Sequence, residues 1–170
     1  MHETERLKLV PYSPHLFQSL SNLFCKNENV MKMTLKHRTF TKKEFSQLLE
    51  ENFILSTDDK FGFLCILSKG DDEIIGVSGL LKCQYLDKED IEFGFILNDT
   101  HWGKGFAQEI GNFWINHAKS NLQLKRIIAT TEPKNHASRK VLDKLQLKFH
   151  SQVNIKSRGN RLIFIKNLTV

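Results

Sequence analysis

The chain has 170 residues, of which 40% are hydrophobic and 26% are charged. This composition is typical of a folded globular protein rather than a disordered one, and the length suits a single domain over residues 1–170. The longest apolar run, Phe61–Leu67, is far shorter than the roughly 20 residues that span a bilayer, and the first residues lack the pattern of an export signal. We therefore expect a cytoplasmic protein with no membrane partner.

The net charge of +6 is unevenly distributed along the chain. Residues 119–170 contain 12 Lys and Arg but only two acidic residues, whereas residues 1–118 are acidic overall. A positive half can attract a phosphorylated cofactor, an acidic protein or nucleic acid, or it can be only a solvated surface. The aromatic and basic interleaving typical of nucleic-acid binding is missing, so we do not expect a nucleic-acid partner.

The three cysteines are odd in number, far apart and without metal-ligand spacing. They are Cys25, Cys65 and Cys83, and their neighbours are apolar. We therefore predict neither a disulfide nor a metal site, and no acyl-cysteine intermediate, in a reducing compartment.

The first half of the chain predicts one strand, two helices and three further strands. Alternation predicts a strand at Arg6–Val10, and leucines at helical spacing predict a helix over 14–27. Thr41 and Glu44 have capping-box spacing at the start of a second helix, which runs to Phe53. Short polar turns between the next apolar segments predict an antiparallel meander of three strands, Phe61–Ser68, Ile74–Lys82 and Ile91–Asn98.

The second half alternates helices and strands before a closing hairpin. Apolar residues from Phe106 to His117 fall on one helical face, followed by a strand at Arg126–Thr131. A helix is predicted at Ser138–Leu145, and a hairpin of Phe149–Lys156 and Leu162–Leu168 closes the chain around a turn at 158–160. Because a helix connects the strand ending at 98 to the strand beginning at 126, these two should be parallel neighbours. The fold class is therefore α/β (α+β), a mixed and mostly antiparallel sheet of about seven strands with helices on both faces.

The turn Trp102-Gly103-Lys104-Gly105, between a predicted strand and a predicted helix, is the most informative segment. The first amides of a helix have no partner within it, and its N-terminus carries partial positive charge. Glycines let an anion approach these amides, Lys104 adds a full charge, and no Asp, Ser or Thr directly precedes the helix as a cap. The segment is either a pyrophosphate-binding turn or a simple chain reversal. It does not fit a nucleoside-triphosphate loop or a dinucleotide fold.

This turn resembles the acyl-CoA pyrophosphate loop of the GCN5-related N-acetyltransferases, whose pattern is Gln/Arg-x-x-Gly-x-Gly/Ala. Trp102 takes the first position, which is similar to the branch of the family that acetylates ribosomal-protein N-termini. Gly105 and Ala107 take the last two positions. Three further segments resemble that branch: Thr4–Leu9, Ile91–Phe95 and Asn135–Ser138. The resemblance implies the fold of this family, acetyl-CoA as co-substrate without a metal, and transfer of an acyl group to an amine.

Two positions depart from the family pattern. The late helix usually ends Lys-Leu-Gly-Phe, whereas this chain has Gln146 in place of the glycine. A non-glycine residue in a left-handed helix cap costs roughly 1 kcal/mol, so we expect a modified helix end rather than a lost fold. Many relatives also have a tyrosine where this chain has Leu142, which removes one proposed general acid.

The resemblance implies cofactor-binding residues in three segments. Backbone groups at Phe95, Ile96 and Leu97 would bind the pantetheine arm as another strand would, and Asn135 would bond its amides. Ser138 would lie beside the same arm. The diphosphate would be held by Trp102, Gly103, Lys104, Gly105, Phe106 and Ala107.

Glu92 and Ser138 are the candidate catalytic residues. Glu92 lies on the face of its strand opposite Phe93 and Phe95, and is a candidate general base. The alternatives are a structural pair with a Lys or Arg, or a chain of waters as the base. Ser138 could protonate the leaving thiolate or simply bond the backbone, and Asn135 could simply cap its helix.

These observations leave several acceptors open. The first hypothesis is transfer to a protein N-terminus, and the second is transfer to a small amine such as a polyamine, an aminoglycoside or an amino-acid-like metabolite. A non-catalytic CoA-binding or ribosome-binding module is the alternative from another class. We expect the early helices and the last hairpin to form the acceptor pocket, and the protein to be a monomer or a homodimer.

Overall fold

The structure, a computed structural model, describes residues 1–56 and 59–168. Within them eight strands form one sheet in the order β1-β2-β3-β4-β5-β6-β8-β7. The strands are β1 (His2–Glu3), β2 (Leu7–Val10), β3 (Gly62–Ser68), β4 (Ile74–Cys83), β5 (Asp90–Leu97), β6 (Arg126–Thr131), β7 (Lys148–Ile155) and β8 (Gly159–Asn167). The mixed, mostly antiparallel sheet is confirmed. The additional strand, β1, has only two residues, which is too few for alternation to reveal.

Five helices accompany these strands in the described part of the chain. They are α1 (Phe17–Lys26), α2 (Glu28–Met31), α3 (Lys42–Asn52), α4 (Phe106–Ser120) and α5 (His136–Lys144). The helix predicted over 14–27 is divided, because Pro14–Leu16 forms a 3₁₀ turn and the Asn27 side chain caps α2 by accepting a hydrogen bond from the Val30 amide at 3.1 Å. None of the described helices has the length and apolarity needed to span a bilayer.

Helices lie on both faces of the sheet, as predicted. Alternation along β5 sends Phe93 into a core that contains Trp114 of α4, and sends Ile96 into a second core that contains Phe45 of α3. The strand is therefore held between two apolar layers, which fixes the direction of each of its side chains. Glu92 lies on the same face as Ile96.

The sheet opens between β5 and β6. Strand β5 is paired with β4 along the whole length of β5, from Leu97 opposite Gly76 to Asp90 opposite Cys83. In contrast, the predicted parallel pairing of β5 with β6 is present only at Glu92 opposite Ile128, whereas β6 pairs with β8 over its full length. Beyond Glu92 one edge of β5 consequently has no strand partner among the described residues.

The capping box predicted at the start of α3 is confirmed, whereas the modified end expected for α5 is not found. Thr41 and Glu44 form a reciprocal capping box at the start of α3. At the end of α5, Gln146 adopts a left-handed backbone with φ 62°. Its backbone amide donates to the Asp143 carbonyl at 2.9 Å, and the backbone amide of Leu147 donates to the Leu142 carbonyl at 3.0 Å. This is a complete Schellman motif with glutamine in the position that favours glycine.

Replacing Gln146 with glycine is expected to raise the free energy of unfolding by about 0.5–1 kcal/mol, because glycine adopts positive φ without steric cost. The Lys166 ammonium would lose its bond to the Gln146 amide oxygen but keep the one to the Leu145 carbonyl at 2.9 Å. Urea titration measures the change. Gln152→Gly, the same substitution at an exposed position of β7, should instead destabilise the protein. Equal effects of the two variants would contradict the assignment of strain to Gln146.

Candidate active site

The turn from Trp102 to Gly105 presents bare backbone at the start of α4. Gly103 and Gly105 have left-handed φ values of 75° and 82°, and Gly105 occupies the N-cap position without a side-chain cap bond. A Cβ atom at Gly103 would meet no atom within 4 Å, and one at Gly105 would meet only the Arg6 guanidinium at 3.5 Å. The predicted uncapped helix start is thus open to an anion from outside.

Arg6 supports this turn from the other end of the sequence. Its Nη1 donates to the Lys104 carbonyl at 3.0 Å, and its guanidinium lies 4.4 Å from the centre of the Phe106 ring. Glu109 of α4 holds Arg6 in place through an ion pair at 2.7 Å and also accepts a hydrogen bond from Thr4. Two of the segments that resembled the family therefore meet in space, a contact that the sequence analysis did not predict.

The open edge of β5 lies immediately before the turn. Its residues Phe95, Ile96 and Leu97 are the ones that the resemblance assigned to the pantetheine arm. The Trp102 indole, 48% exposed, folds back so that its Nε1 donates to the Leu97 carbonyl at 3.0 Å. Trp102 thus links the strand to the turn, and it occupies one of the backbone acceptors that the open edge offers.

A cavity of about 420 Å³ lies where β5 and β6 separate. It brings five of the predicted site residues together: Glu92, Phe95, Ile96, Asn135 and Ser138. Residues from α3, from the segment before it and from the β7–β8 turn also line it. The early helices and the last hairpin are the elements predicted to form the acceptor pocket. Leu97 and residues 102–107 are not part of the lining and lie along the continuation of β5.

Glu92 is buried and lies at the centre of a hydrogen-bond network. Its carboxylate accepts from the Tyr85 hydroxyl at 3.0 Å and from the Thr130 hydroxyl, and pairs with the Arg158 guanidinium at 3.1 Å. Arg158 also donates to Tyr85 and to Thr130. The structural alternative for Glu92, a pair with an arginine, is therefore present, and the carboxylate also lines the cavity.

Two pKa shifts follow from this network. Burial, followed by the neighbouring carboxylate of Glu92, raises the pKa of Tyr85, so the phenol is a hydrogen-bond donor at neutral pH. Burial opposes the charge of Arg158, but Glu92 and Tyr85 outweigh it and raise the pKa of this guanidinium. The network is thus built around a permanent cation.

Asn135 and Ser138 lie together at the start of α5, on the cavity wall. The Asn135 side chain caps the helix by accepting a hydrogen bond from the Ser138 amide at 3.0 Å. Within the described residues the Ser138 hydroxyl has no hydrogen-bond partner, so it is available to a ligand. Leu142, in the position of the missing tyrosine, is buried and also lines the cavity.

The remaining polar candidates have other roles. His101 is buried in the turn before α4, with its Nε2 3.5 Å from a Glu73 carboxylate oxygen. All three cysteines are unpaired, and burial raises the pKa of the Cys65 and Cys83 thiols to about 12. Neither thiol is a nucleophile at neutral pH. No group of three or more potential metal ligands occurs in the described part of the chain.

Sequence reasoning missed the groups that surround Glu92. Tyr85 lies in what was read only as a polar turn, and Thr130 was one residue of a short strand. Arg158 and Arg161 come from the closing hairpin, whose contribution to the pocket was expected without identifying residues. The charged turn at Arg158-Gly159-Asn160 was the one available signal, but a charged hairpin turn is usually only solvated.

The site thus combines an open strand edge with an uncapped glycine turn at the start of a helix. Comparison with known proteins shows the family to which this fold belongs. Residues 6–148 match the family model of the acetyltransferase (GNAT) domain. The chain belongs to the GNAT acetyltransferase family.

Individual relatives match only part of this chain. The uncharacterized N-acetyltransferase p20 of Bacillus licheniformis is 38% identical over 93 residues, which are 54% of this chain and 51% of p20. The chain thus spans about half the length of p20, and likewise of the YkkB protein of Bacillus subtilis.

Among solved structures, the spermidine N-acetyltransferase of Vibrio cholerae in complex with CoA and spermine has a TM-score of 0.75 at 18% identity, covering 95% of both chains. The ribosomal-protein-S5-alanine acetyltransferase of Vibrio fischeri has a TM-score of 0.71 at 20% identity, covering 98% of this chain and 95% of that one. At these identities the likeness is one of fold.

Proposed function

We propose that this chain transfers the acetyl group of acetyl-CoA to a primary amine by direct attack. The observation that carries the proposal is the arrangement along β5. Glu92 faces the cavity, the edge at Phe95–Leu97 has no strand partner in the described structure, and the uncapped start of α4 follows. A single strand thus connects a base, a peptide-like binding edge and an anion site.

The residues present fit the two halves of the co-substrate. The free edge of β5 can exchange backbone hydrogen bonds with the amides of the pantetheine arm, and the amide nitrogen of Asn135, whose oxygen caps α5, can donate to them. The left-handed glycines leave the first amides of α4 free for the diphosphate, and Lys104 adds charge beside them. Arg139 and Lys140 are exposed on α5 and can contact outer phosphates.

The chemistry needs a base and a proton for the leaving group. When bound, acetyl-CoA supplies an acetyl carbon to which the amine nitrogen bonds as the carbon–sulfur bond breaks. Glu92 would accept the proton that the ammonium must lose before it attacks, directly or through a water. The second proton, which the nitrogen loses once it has bonded the acetyl carbon, would pass to water. Ser138 would donate a hydrogen bond and then a proton to the departing thiolate, and would be reprotonated from water.

Two acceptor classes have support. The resemblance of Trp102 and its neighbouring segments to the ribosomal-protein branch favours a protein N-terminus. The volume of the cavity, about 420 Å³, and the buried arginine on its wall favour a small amine instead. The two classes differ in the space that the acceptor needs. A protein N-terminus continues as a chain that must leave the cavity, whereas a small amine fits within the cavity.

Acetyl-CoA at saturating concentration should raise the melting temperature of the protein by several degrees, because ligand binding to the native state alone stabilises it. Thiol release should then depend on an added amine, tested with peptides, polyamines, aminoglycosides and amino acids. Stabilisation without turnover of any amine would favour the non-catalytic alternative. No stabilisation at all would contradict the binding of acetyl-CoA and the whole proposal.

A further inference from the structure

Arg161 of β8 is a buried cation on the wall of the cavity. The residue is 2% exposed, and it lines the cavity together with Glu92 and Ser138. Its Nε donates to the Arg158 carbonyl at 3.2 Å and its Nη2 to the Leu35 carbonyl at 3.2 Å. Of the residues that the structure describes, none places a carboxylate at ion-pairing distance, and the Nη1 of Arg161 has no acceptor.

Arg161 has no ion-pair partner among the described residues. Two carboxylates, those of Glu92 and Glu132, are near enough to act on its charge, but Glu92 already pairs with Arg158 and neither forms an ion pair with Arg161. Burial, and then the neighbouring Arg158, lower the pKa of Arg161 to about 10, which still leaves it charged at neutral pH. An unpaired buried charge costs several kcal/mol, so a chain that retains one has a use for an anion at that place.

The lining offers few free carboxylates to a polycation. Neither carboxylate of β5 is free, because Asp90 is paired with Arg126 at 2.6 Å and Glu92 with Arg158. Glu44 is paired with both Arg38 and Lys36. This leaves Glu51, bonded only to Gln47, as the one carboxylate of the described lining without an ion pair. Over the whole lining, four basic residues stand against three acidic ones: Lys36, Lys82, Arg158 and Arg161 against Glu44, Glu51 and Glu92.

Given the proposed function, on which this step depends, we infer that Arg161 binds a carboxylate of the acceptor. The acceptor is then a small amino carboxylate, such as a free α-amino acid. Arg158 connects the two ends of the site, since its carbonyl accepts from Arg161 while its guanidinium bonds Glu92. A carboxylate held on Arg161 places an amine a few bonds away on the side of the proposed base. A cavity of about 420 Å³, shared with the end of the acetyl-CoA arm, suits a molecule of this size.

The test compares matched acceptors with the wild-type protein. Thiol release from acetyl-CoA is measured with the common α-amino acids, with the corresponding amino acid amides, with spermidine, and with a short peptide amidated at its C-terminus. We expect kcat/KM for the best amino acid to exceed that of its amide, of spermidine and of the peptide at least tenfold. Equal rates for acid and amide, or a preference for spermidine or the peptide, would overturn the inference and leave the proposed function standing.

Variants then assign the effect to Arg161. Arg161→Gln should raise the KM for the amino acid at least tenfold, leave the KM for acetyl-CoA unchanged and remove the preference for acid over amide. Lys156→Gln removes an equal charge from an exposed position near the same hairpin and should change none of these values. A preserved preference in a folded Arg161→Gln protein would exclude Arg161 as the carboxylate ligand. If that variant does not fold, the wild-type comparison decides alone. Absence of turnover with every amine would defeat the proposed function and this inference with it.

Discussion

Replacing Gly105 with glutamate is expected to abolish acetyl-CoA binding, with an increase in Kd of roughly 100-fold or more, the equivalent of about 2.8 kcal/mol. Gly105 is the N-cap of α4 and has a φ of 82°, so a side chain there strains the backbone. Its Cβ would project into open space beside the Arg6 guanidinium, where a carboxylate would both pair with Arg6 and repel a diphosphate. Isothermal titration calorimetry measures the affinity directly.

Two variants separate the parts of this effect. Gly105→Ala adds the strain without the charge and should weaken binding by a smaller factor. Gly70→Glu adds the same charge in an exposed turn on the β3–β4 connection, and should leave the affinity unchanged. If Gly105→Glu binds acetyl-CoA as well as the wild-type protein does, the turn is only a chain reversal and the diphosphate site must lie elsewhere.

The turn could be predicted because its signals are local. Glycine at two alternate positions, a lysine between them and a change from strand to helix periodicity all fall within a few residues, and the backbone geometry follows from them. The capping residues Thr41 and Asn135 are predictable for the same reason, since a helix cap depends on residues three positions apart.

The network around Glu92 could not be predicted in this way. Tyr85 and Arg158 are 73 positions apart in the chain, and their contact depends on how the sheet brings the β7–β8 turn over β5. The same holds for Arg6 and Lys104, which are 98 positions apart. A long-range pair of side chains leaves no periodic trace in the sequence, so only the folded arrangement identifies it.

The separation of β5 from β6 could be predicted only in part. Parallel neighbours at 91–98 and 126–131 were predicted correctly, but their pairing is limited to Glu92 and Ile128. Strand β6 stays paired along its full length with β8 on its other edge, so it leaves β5 together with the C-terminal hairpin. Element types and order follow from local pattern, whereas the point at which two neighbouring strands separate depends on long-range packing.

Glu92→Gln should lower kcat by about 100-fold while changing the Kd for acetyl-CoA less than about twofold. The amide has the shape of the carboxylate and can still accept from Tyr85, but it cannot take a proton at neutral pH. It also leaves Arg158 buried without its counter-charge, so the melting temperature should fall. Turnover must therefore be measured well below that temperature, together with the folded fraction.

Thr130→Val is the matched control, because it removes one hydrogen bond to the same carboxylate and keeps the charge. A stability loss with nearly normal kcat in Thr130→Val, beside a large kcat loss in Glu92→Gln, would assign the proton transfer to the carboxylate itself. Wild-type turnover in a folded Glu92→Gln protein would instead make Glu92 the structural partner of Arg158. The base would then be a chain of waters, since among the described lining residues the other carboxylates, of Glu44 and Glu51, lie on α3.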